Sequence, residues 1–338
     1  MGKKDLLSNI LYSGMLLPLI RGIRTVLLKE VRILAYHRIY NLDECKEYKF
    51  DADLISANST EFEWQVKYVL KNYNPITFRE LIRALEGKRK LPLRPLLITF
   101  DDGFEDNYVN AFPILKKYRV PATIFISTDY IGQEETFWFD KVVYLLNVSK
   151  NINLSSIPES GIEIENHSRN MLAQKVLGYL KKVPNAKRLE VLENLIKDNK
   201  VDMPKGGFAE SRPLNWEQVI EMASEGIEFG SHTCTHPILS RLSQQELGKE
   251  LADSRQKIEA MIGKACEVIA YPVGGKGEYD ERTVRAVKDA GYRMGMTYRT
   301  GTNILGHIND YEMRRLHVET YVSRARFASM LSLPTMFG

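Results

Sequence analysis

Seven short runs rich in β-branched and apolar residues read as strands, most of them apolar at nearly every position: 31–36, 96–100, 122–127, 227–230, 268–271, 292–297 and 313–318. A run without polar alternation reads as a strand buried on both faces, as parallel strands are. The stretches between them repeat apolar residues at helical spacing and carry their own start and stop signals. Thr77-Phe78-Arg79-Glu80 and Ser243-Gln244-Gln245-Glu246 are capping boxes, and Asn215 is placed to cap a helix that carries Trp216 and Val219. Gly226 and Gly291 stand just after helical patterns and just before strands, where a helix C-terminus takes glycine. Strand–helix alternation of this kind makes a parallel sheet, open or closed into a barrel.

Two stretches break the alternation. Between about 132 and 213 the chain is mostly helical and polar, with a Ser/Asn/Pro-rich patch at 151–161 and a charged helical run at 171–200. It reads as an insertion on the sheet domain, not as a separate catalytic domain. At the N-terminus, Lys3 and Lys4 precede an apolar run over 6–20, and Arg21 and Arg24 follow it. Ser8, Asn9, Ser13 and Pro18 interrupt this run, which falls short of the roughly 20 apolar residues of a membrane-crossing helix. No small-x-small cleavage site follows it. Leu6, Ile10, Gly14 and Leu17 share one helical face, which Ile20, Ile23 and Leu27 continue. The expectation is an amphipathic N-terminal segment over 1–30. Residues 1–28 then either make peripheral contact with a membrane or pack on the domain. In the membrane reading Leu6, Ile10, Leu17, Ile20 and Leu27 face the bilayer, and Lys3, Lys4, Arg21 and Arg24 face its headgroups.

The length of 338 residues suits one large α/β domain with an insertion, here 31–331. With 44% hydrophobic and 27% charged residues, a packed core is expected. A formal charge of +4 without a long Lys/Arg run argues against a nucleic-acid partner. Cys45, Cys234 and Cys266 are odd in number and widely spaced, which gives no disulfide framework and fits a reducing compartment. The expected location is the cytoplasm or the inner membrane face rather than the outside of the cell.

Chemistry concentrates at two strand ends. Thr99-Phe100-Asp101-Asp102-Gly103 closes one apolar run with adjacent carboxylates. Carboxylates are costly to bury unpaired, so a cation belongs beside them. Gly230-Ser231-His232-Thr233-Cys234-Thr235-His236-Pro237 follows another run and holds two of the six histidines. A carboxylate with two histidines is a common catalytic metal set that leaves positions open for water and substrate. Of two adjacent aspartates, one can bind the metal while the other takes a proton from the attacking water. Cys234, between the histidines, reads as a small buried residue rather than a ligand.

These motifs resemble those of the polysaccharide deacetylase family, carbohydrate esterase family 4. Ile33-Leu34-Ala35-Tyr36-His37-Arg38-Ile39 resembles the opening strand of many members, and Leu214-Asn215-Trp216-Glu217-Gln218 the lead into the histidine motif. Ala270-Tyr271-Pro272-Val273-Gly274 resembles the third motif and Arg315-Leu316-His317-Val318 the last. The resemblance covers roughly 31–331. It implies a distorted (β/α)7 barrel, with Asp101 as general base and Asp102, His232 and His236 as ligands of a divalent metal, usually Zn²⁺. It also implies the Val273 N–H as oxyanion donor and His317 as the acid that protonates the leaving amine. Tyr271, Pro272, Gly274, His37 and Arg315 fall at substrate-side positions of the same motifs.

This chain departs from the pattern in two places. Ala270 stands where many members have an arginine that orients the base, and Arg315-Leu316-His317-Val318 mixes two forms of the last motif. The implied activity is metal-dependent removal of N-acetyl groups from sugars of a polysaccharide or a lipid-linked glycan precursor. Trp138 and Trp216 are candidates for stacking on sugar rings. A deformylase of a prenyl-phosphate-linked amino sugar is the alternative within the fold. An inactive carbohydrate-binding relative is the alternative outside catalysis.

Overall fold

The computed structural model describes residues 2–45, 47–165, 167–204 and 207–338. Each apolar run becomes a parallel strand: β1 Glu30–Tyr36, β2 Pro95–Phe100, β3 Thr123–Ile126, β4 Glu228–Ser231, β5 Val268–Ala270, β6 Met294–Thr300 and β7 Met313–His317. They pair in chain order, with Leu34 beside Ile98, Thr99 beside Thr123, Phe125 beside Gly230, Ser231 beside Ile269, Ala270 beside Met296 and Met296 beside Met313. Leu34 also pairs with Leu316, so β7 returns to β1 and the ring closes. The chain forms the expected distorted (β/α)7 barrel.

Residues facing opposite sides of each strand enter different cores. Ile33, Leu97, Phe125, Ala270 and Met296 join one cluster with Phe78, Leu81 and Ile82. Leu34, Ile98, Ile124, Phe229 and Ile269 join another with helix residues such as Val66, Leu115, Val219, Leu251 and Phe327. Burial on both faces is the reason most of these strands carry apolar residues at successive positions.

The helices are α1 Lys3–Ser13, α2 Leu16–Leu27, α3 Ser59–Asn72, α4 Phe78–Leu85, α5 Phe112–Tyr118, α6 Trp138–Val148, α7 Arg169–Leu180, α8 Asn185–Asn199, α9 Trp216–Ser224, α10 Gln244–Ile262, α11 Glu281–Asp289 and α12 Arg324–Ser332. The capping boxes start α4 and α10, with Thr77 Oγ1 accepting from Glu80 N–H at 3.1 Å and Ser243 Oγ from Glu246 N–H at 3.3 Å. Helices α6, α7 and α8 hold their own apolar cluster, which includes Val142, Leu146, Leu172, Val176 and Val191. They stand over the end of the barrel where the strands finish.

The N-terminal segment differs from the expectation. It forms two helices, α1 and α2, bent by 92° at a break where Met15 takes φ 50°. One continuous face through Leu6 and Leu17 therefore does not exist. Leu17 is buried in the core, and Arg21 is also buried, donating to Tyr68 Oη at 2.9 Å and Asn72 Oδ1 at 2.6 Å. Arg24 pairs with Glu30 at 2.8 Å. A guanidinium leaves water only for such partners, so these residues tie α2 to the barrel and are not free for headgroups. Among the described residues, no single helix is long and apolar enough to cross a membrane.

Candidate active site

The site is assembled from the C-terminal ends of strands, where the loops of a parallel barrel converge. Asp101 and Asp102 follow Phe100 at the end of β2, His232 follows β4, His37 follows β1, and the turn through Val273 follows β5. Gly103, next to the two aspartates, has φ 85°, and a Cβ there would come within 2.7 Å of Ile126 Cγ2. Only glycine lets the backbone turn so close to β3.

Asp102 Oδ1 lies 3.2 Å from His236 Nε2 and 3.5 Å from His232 Nε2. One ligand atom from each of the three residues falls within 4.8 Å of the others, and all three side chains are buried. His232 Nδ1 is 2.8 Å from the Ala270 carbonyl, which accepts its proton and leaves the Nε2 lone pair aimed at the cluster. Burial pushes the His232 imidazolium down to about 4, so the ring is neutral at ordinary pH. A buried carboxylate facing imidazole lone pairs is the donor set of a divalent-cation site with open positions. The residues expected as ligands are brought together, and they fit the group.

Asp101 is held differently. Arg315 Nη1 and Nη2 donate to Asp101 Oδ1 and Oδ2, each at 2.7 Å, and neither side chain is exposed. Burial alone raises a carboxyl, but the Arg315 guanidinium beside it holds Asp101 well below the usual carboxylate range. The arginine missing at Ala270 is thus replaced from β7. Arg315 was expected on the substrate side, and it holds Asp101 instead. Its guanidinium also donates from Nε to the Thr297 carbonyl at 3.0 Å.

Asp102, Thr233, His236 and Val273 all take left-handed backbone conformations, with φ 73°, 70°, 54° and 62°. Each costs about 1–2 kcal/mol for a residue with a side chain, and such strain gathers where function over-determines the backbone. Several contacts hold the histidine turn against it. Glu250 of α10 accepts the N–H groups of Cys234 at 2.7 Å and Thr235 at 3.0 Å, and the Thr235 hydroxyl at 2.6 Å. Trp138 Nε1 donates to the His236 carbonyl at 2.9 Å, and Arg188 Nη1 reaches the same oxygen at 3.4 Å. Glu250 and Arg188 lie in helical stretches with no motif, so nothing in the sequence marked them. Cys234 sits outside the cluster with its thiol 3.6 Å from the Glu250 carbonyl, and burial pushes that thiol up to about 12.

Beside the cluster is a cavity of ≈ 180 Å³ lined by Asp101, Asp102, His232, His236, His37, Tyr271, Val273 and Tyr298. Its other wall is Trp138 with Gln174, Leu177 and Lys181 of the inserted helices and Asp51 and Leu54 of the barrel loop. Gln174 Nε2 donates to Asp51 Oδ2 at 2.7 Å and ties the inserted helices to the barrel loop within this wall. The Val273 N–H finds no backbone acceptor among the described residues. Pro272 and Gly274 shape this turn, the Gly274 N–H donating to the Pro272 carbonyl at 2.7 Å. Tyr271 turns its hydroxyl away, to the Tyr311 carbonyl at 2.7 Å.

The other two histidines of the family-like motifs, His37 and His317, are placed unequally. His37 lines the cavity, whereas His317 does not. The His317 ring stacks on Tyr298 at 3.6 Å and 7°, and its Nε2 is buried without a hydrogen-bond partner among the described residues. Burial, with the charge of Arg315, pushes its imidazolium down to about 3. Trp216 packs against the main core with Lys257 over its ring and takes no part in the cavity, unlike Trp138.

Comparison with known proteins agrees with this geometry. The polysaccharide deacetylase family model matches residues 88–191 and 172–295. YxkH of Bacillus subtilis, which carries the polysaccharide deacetylase name, is 26% identical over 300 residues, or 88% of this chain and 75% of that protein. The poly-β-1,6-N-acetyl-D-glucosamine N-deacetylase of Staphylococcus epidermidis is 30% identical over 214 residues, or 58% of this chain and 70% of the relative. Among solved structures, the Streptococcus pyogenes deacetylase PplD, in complex with acetate, superposes with TM-score 0.56 at 20% identity, covering 88% of this chain and 95% of that one. IcaB from Ammonifex degensii gives TM-score 0.57 at 17% identity over 90% of this chain and 96% of its own. The structural likenesses speak for the fold, and the family model spans most of the barrel and both strand-end motifs: this chain belongs to the polysaccharide deacetylase family.

Proposed function

We propose that the protein is a metal-dependent N-deacetylase that releases acetate from amino-sugar residues of a polysaccharide. The observation that carries this reading is the Asp102–His232–His236 cluster sharing one cavity with an arginine-held Asp101. The activity for which the staphylococcal relative is named supports the polymer of N-acetylglucosamine as substrate class. A divalent cation such as Zn²⁺, when held by Asp102, His232 and His236, supplies Lewis-acid polarisation of the acyl oxygen and lowers the pKa of water. Asp101, kept ionised and fixed in direction by Arg315, takes the proton of the attacking water. The Val273 N–H, which has no backbone acceptor among the described residues, is a fixed donor for the oxygen that gains charge in the tetrahedral state. His37, which faces the cavity, is better placed than the stacked His317 to protonate the departing amine. Trp138 and the inserted helices wall the cavity against water.

The test is product analysis on poly-N-acetylglucosamine and on a lipid-linked amino sugar. Acetate released in step with free amines, abolished by a chelator and restored by Zn²⁺ or another divalent ion, is the expected result. Formate from the lipid-linked substrate alone makes the protein the deformylase. Tight glycan binding with no turnover under any metal makes it the inactive relative. Either outcome overturns the proposal.

A further inference from the structure

Helix α2 has its cations facing the protein and much of its apolar surface facing water. Arg21 and Arg24 turn to the barrel, where Tyr68, Asn72 and Glu30 receive them. Leu16, Leu19, Ile23, Val26 and Leu27 fall within an arc of about 100° on a helix of 3.6 residues per turn. That arc is open: Leu19 is 63% exposed, Ile23 53%, Val26 85% and Leu27 73%. Across the bend, Met15 is 79% exposed, and α1 adds Leu6 and Ile10 at more than half exposure. A helix apolar on its solvent side is normally covered, and contiguous exposed patches of this kind mark a partner or a membrane.

A second feature adjoins it. The loop after α4 reads Lys88-Arg89-Lys90-Leu91-Pro92-Leu93-Arg94, with Leu93 71% exposed. Thr25, Leu28 and Lys29 at the end of α2 line one surface hollow with Leu85, Lys90 and Arg94. No acidic residue occurs from Leu6 to Lys29 or from Gly87 to Thr99. Glu80 and Glu86 pair with Arg89 and Lys88, while Lys29, Lys90 and Arg94 have no ion-pair partner among the described residues. The exposed leucines therefore run into a set of uncompensated cations.

We propose that this face lies on the surface of an anionic bilayer. Leu19, Ile23, Val26 and Leu27 rest at the acyl boundary, and Lys29, Lys90 and Arg94 rest against phosphate headgroups. A second copy of the chain fits less well, because a twofold contact sets the same patch against itself and would oppose these cations. The buried Arg21 and the half-buried Arg24 fasten the helix to the barrel, so the surface is presented by the fold itself. Glu30 and Pro95, which flank the hollow, begin β1 and β2, whereas the cavity is at the strands' C-terminal ends. Docking therefore leaves the mouth of the site open to solvent and to a polymer. This proposal does not depend on the reaction.

The experiment is co-sedimentation of the full chain with phosphatidylcholine vesicles and with vesicles containing phosphatidylglycerol. Two variants accompany it: Ile23→Ser/Val26→Ser/Leu27→Ser and Lys29→Glu/Lys90→Glu/Arg94→Glu, each checked by thermal melting for an intact fold. The full chain should pellet with the anionic vesicles and much less with the neutral ones. The apolar variant should lower the partition constant at least tenfold. The charge variant should lower it by about fivefold or more per residue changed, and raised salt should act the same way. A wild-type chain that stays in the supernatant overturns the proposal. So does binding that both variants leave intact. A wild-type dimer that the serine variant dissociates, with no vesicle binding, gives the surface to a second copy and also overturns it.

Discussion

Arg315 grips Asp101 with two parallel hydrogen bonds of 2.7 Å across 214 residues of sequence, with both side chains buried at the edge of the cavity. Two parallel bonds from a planar guanidinium fix the plane of the carboxylate, so the contact sets the direction of Asp101 as well as its charge.

Arg315→Lys keeps the charge and loses the fork. It is expected to lower kcat by roughly 10–100-fold, as misplacement of a reacting group does, with metal content unchanged. Arg315→Met removes the cation, so burial then dominates the Asp101 carboxyl and raises it. The acid limb of the pH–rate profile should move to higher pH. Loss of one partner of a buried pair should also cost about 3–5 kcal/mol of stability, read by denaturant melts. An unmoved acid limb in the Met variant would show that Arg315 does not govern the base.

The two aspartates should separate by assay. Asp101→Asn is expected to retain metal and lose roughly 10²–10⁴-fold in turnover. Asp102→Asn is expected to lose metal affinity. Elemental analysis of the two purified variants decides the matter, and equal metal loss in both contradicts the division of roles.

The histidines make a third comparison. His37→Ala should reduce kcat far more than His317→Ala, because only the former opens onto the cavity. His317→Ala removes a ring stacked on Tyr298 and should act mainly through stability. A larger kcat effect at His317, with melting unchanged, returns the acid role to the last motif.

Asp140 gives a stability prediction with a defined pH window. It is buried beside Ser211, has one carboxyl oxygen without a partner among the described residues, and is pushed up to about 7 by burial. The folded state therefore holds a proton that the unfolded chain releases near pH 4. Stability attributable to this group falls as pH rises from about 4 to 7 and is level above. Asp140→Asn should stabilise the protein at pH 8 by a few kcal/mol at most, with the gain vanishing near pH 4. A variant less stable than the parent at pH 8 shows that the ionised carboxylate is being used.

Much of this protein was legible from local pattern. A strand buried on both faces is mostly apolar, so strands such as β2, β3 and β5 were visible as runs, whereas β7, with Arg314, Arg315 and His317, was marked by its place in the strand–helix alternation. Motifs directly after β2 and β4 carried Asp101, Asp102, His232 and His236, because parallel strands deliver their ends to one side. Capping is equally local, and Thr77 and Ser243 start helices as their spacing indicated. Other features depended on which surfaces meet. Leu17 and Leu19 are both leucines near the N-terminus, yet one is buried in the core and the other exposed, because the bend at Met15 sets which side of α2 meets α12. Arg315 reached Asp101 only when β7 closed against β1, and His317 lost the cavity only when Tyr298 stacked on it. Residue type and spacing determine hydrogen-bonding capacity and strand or helix character over a few residues. Which side chains meet across two hundred residues is set by barrel closure and by the packing of helices on its outside, which no local pattern encodes.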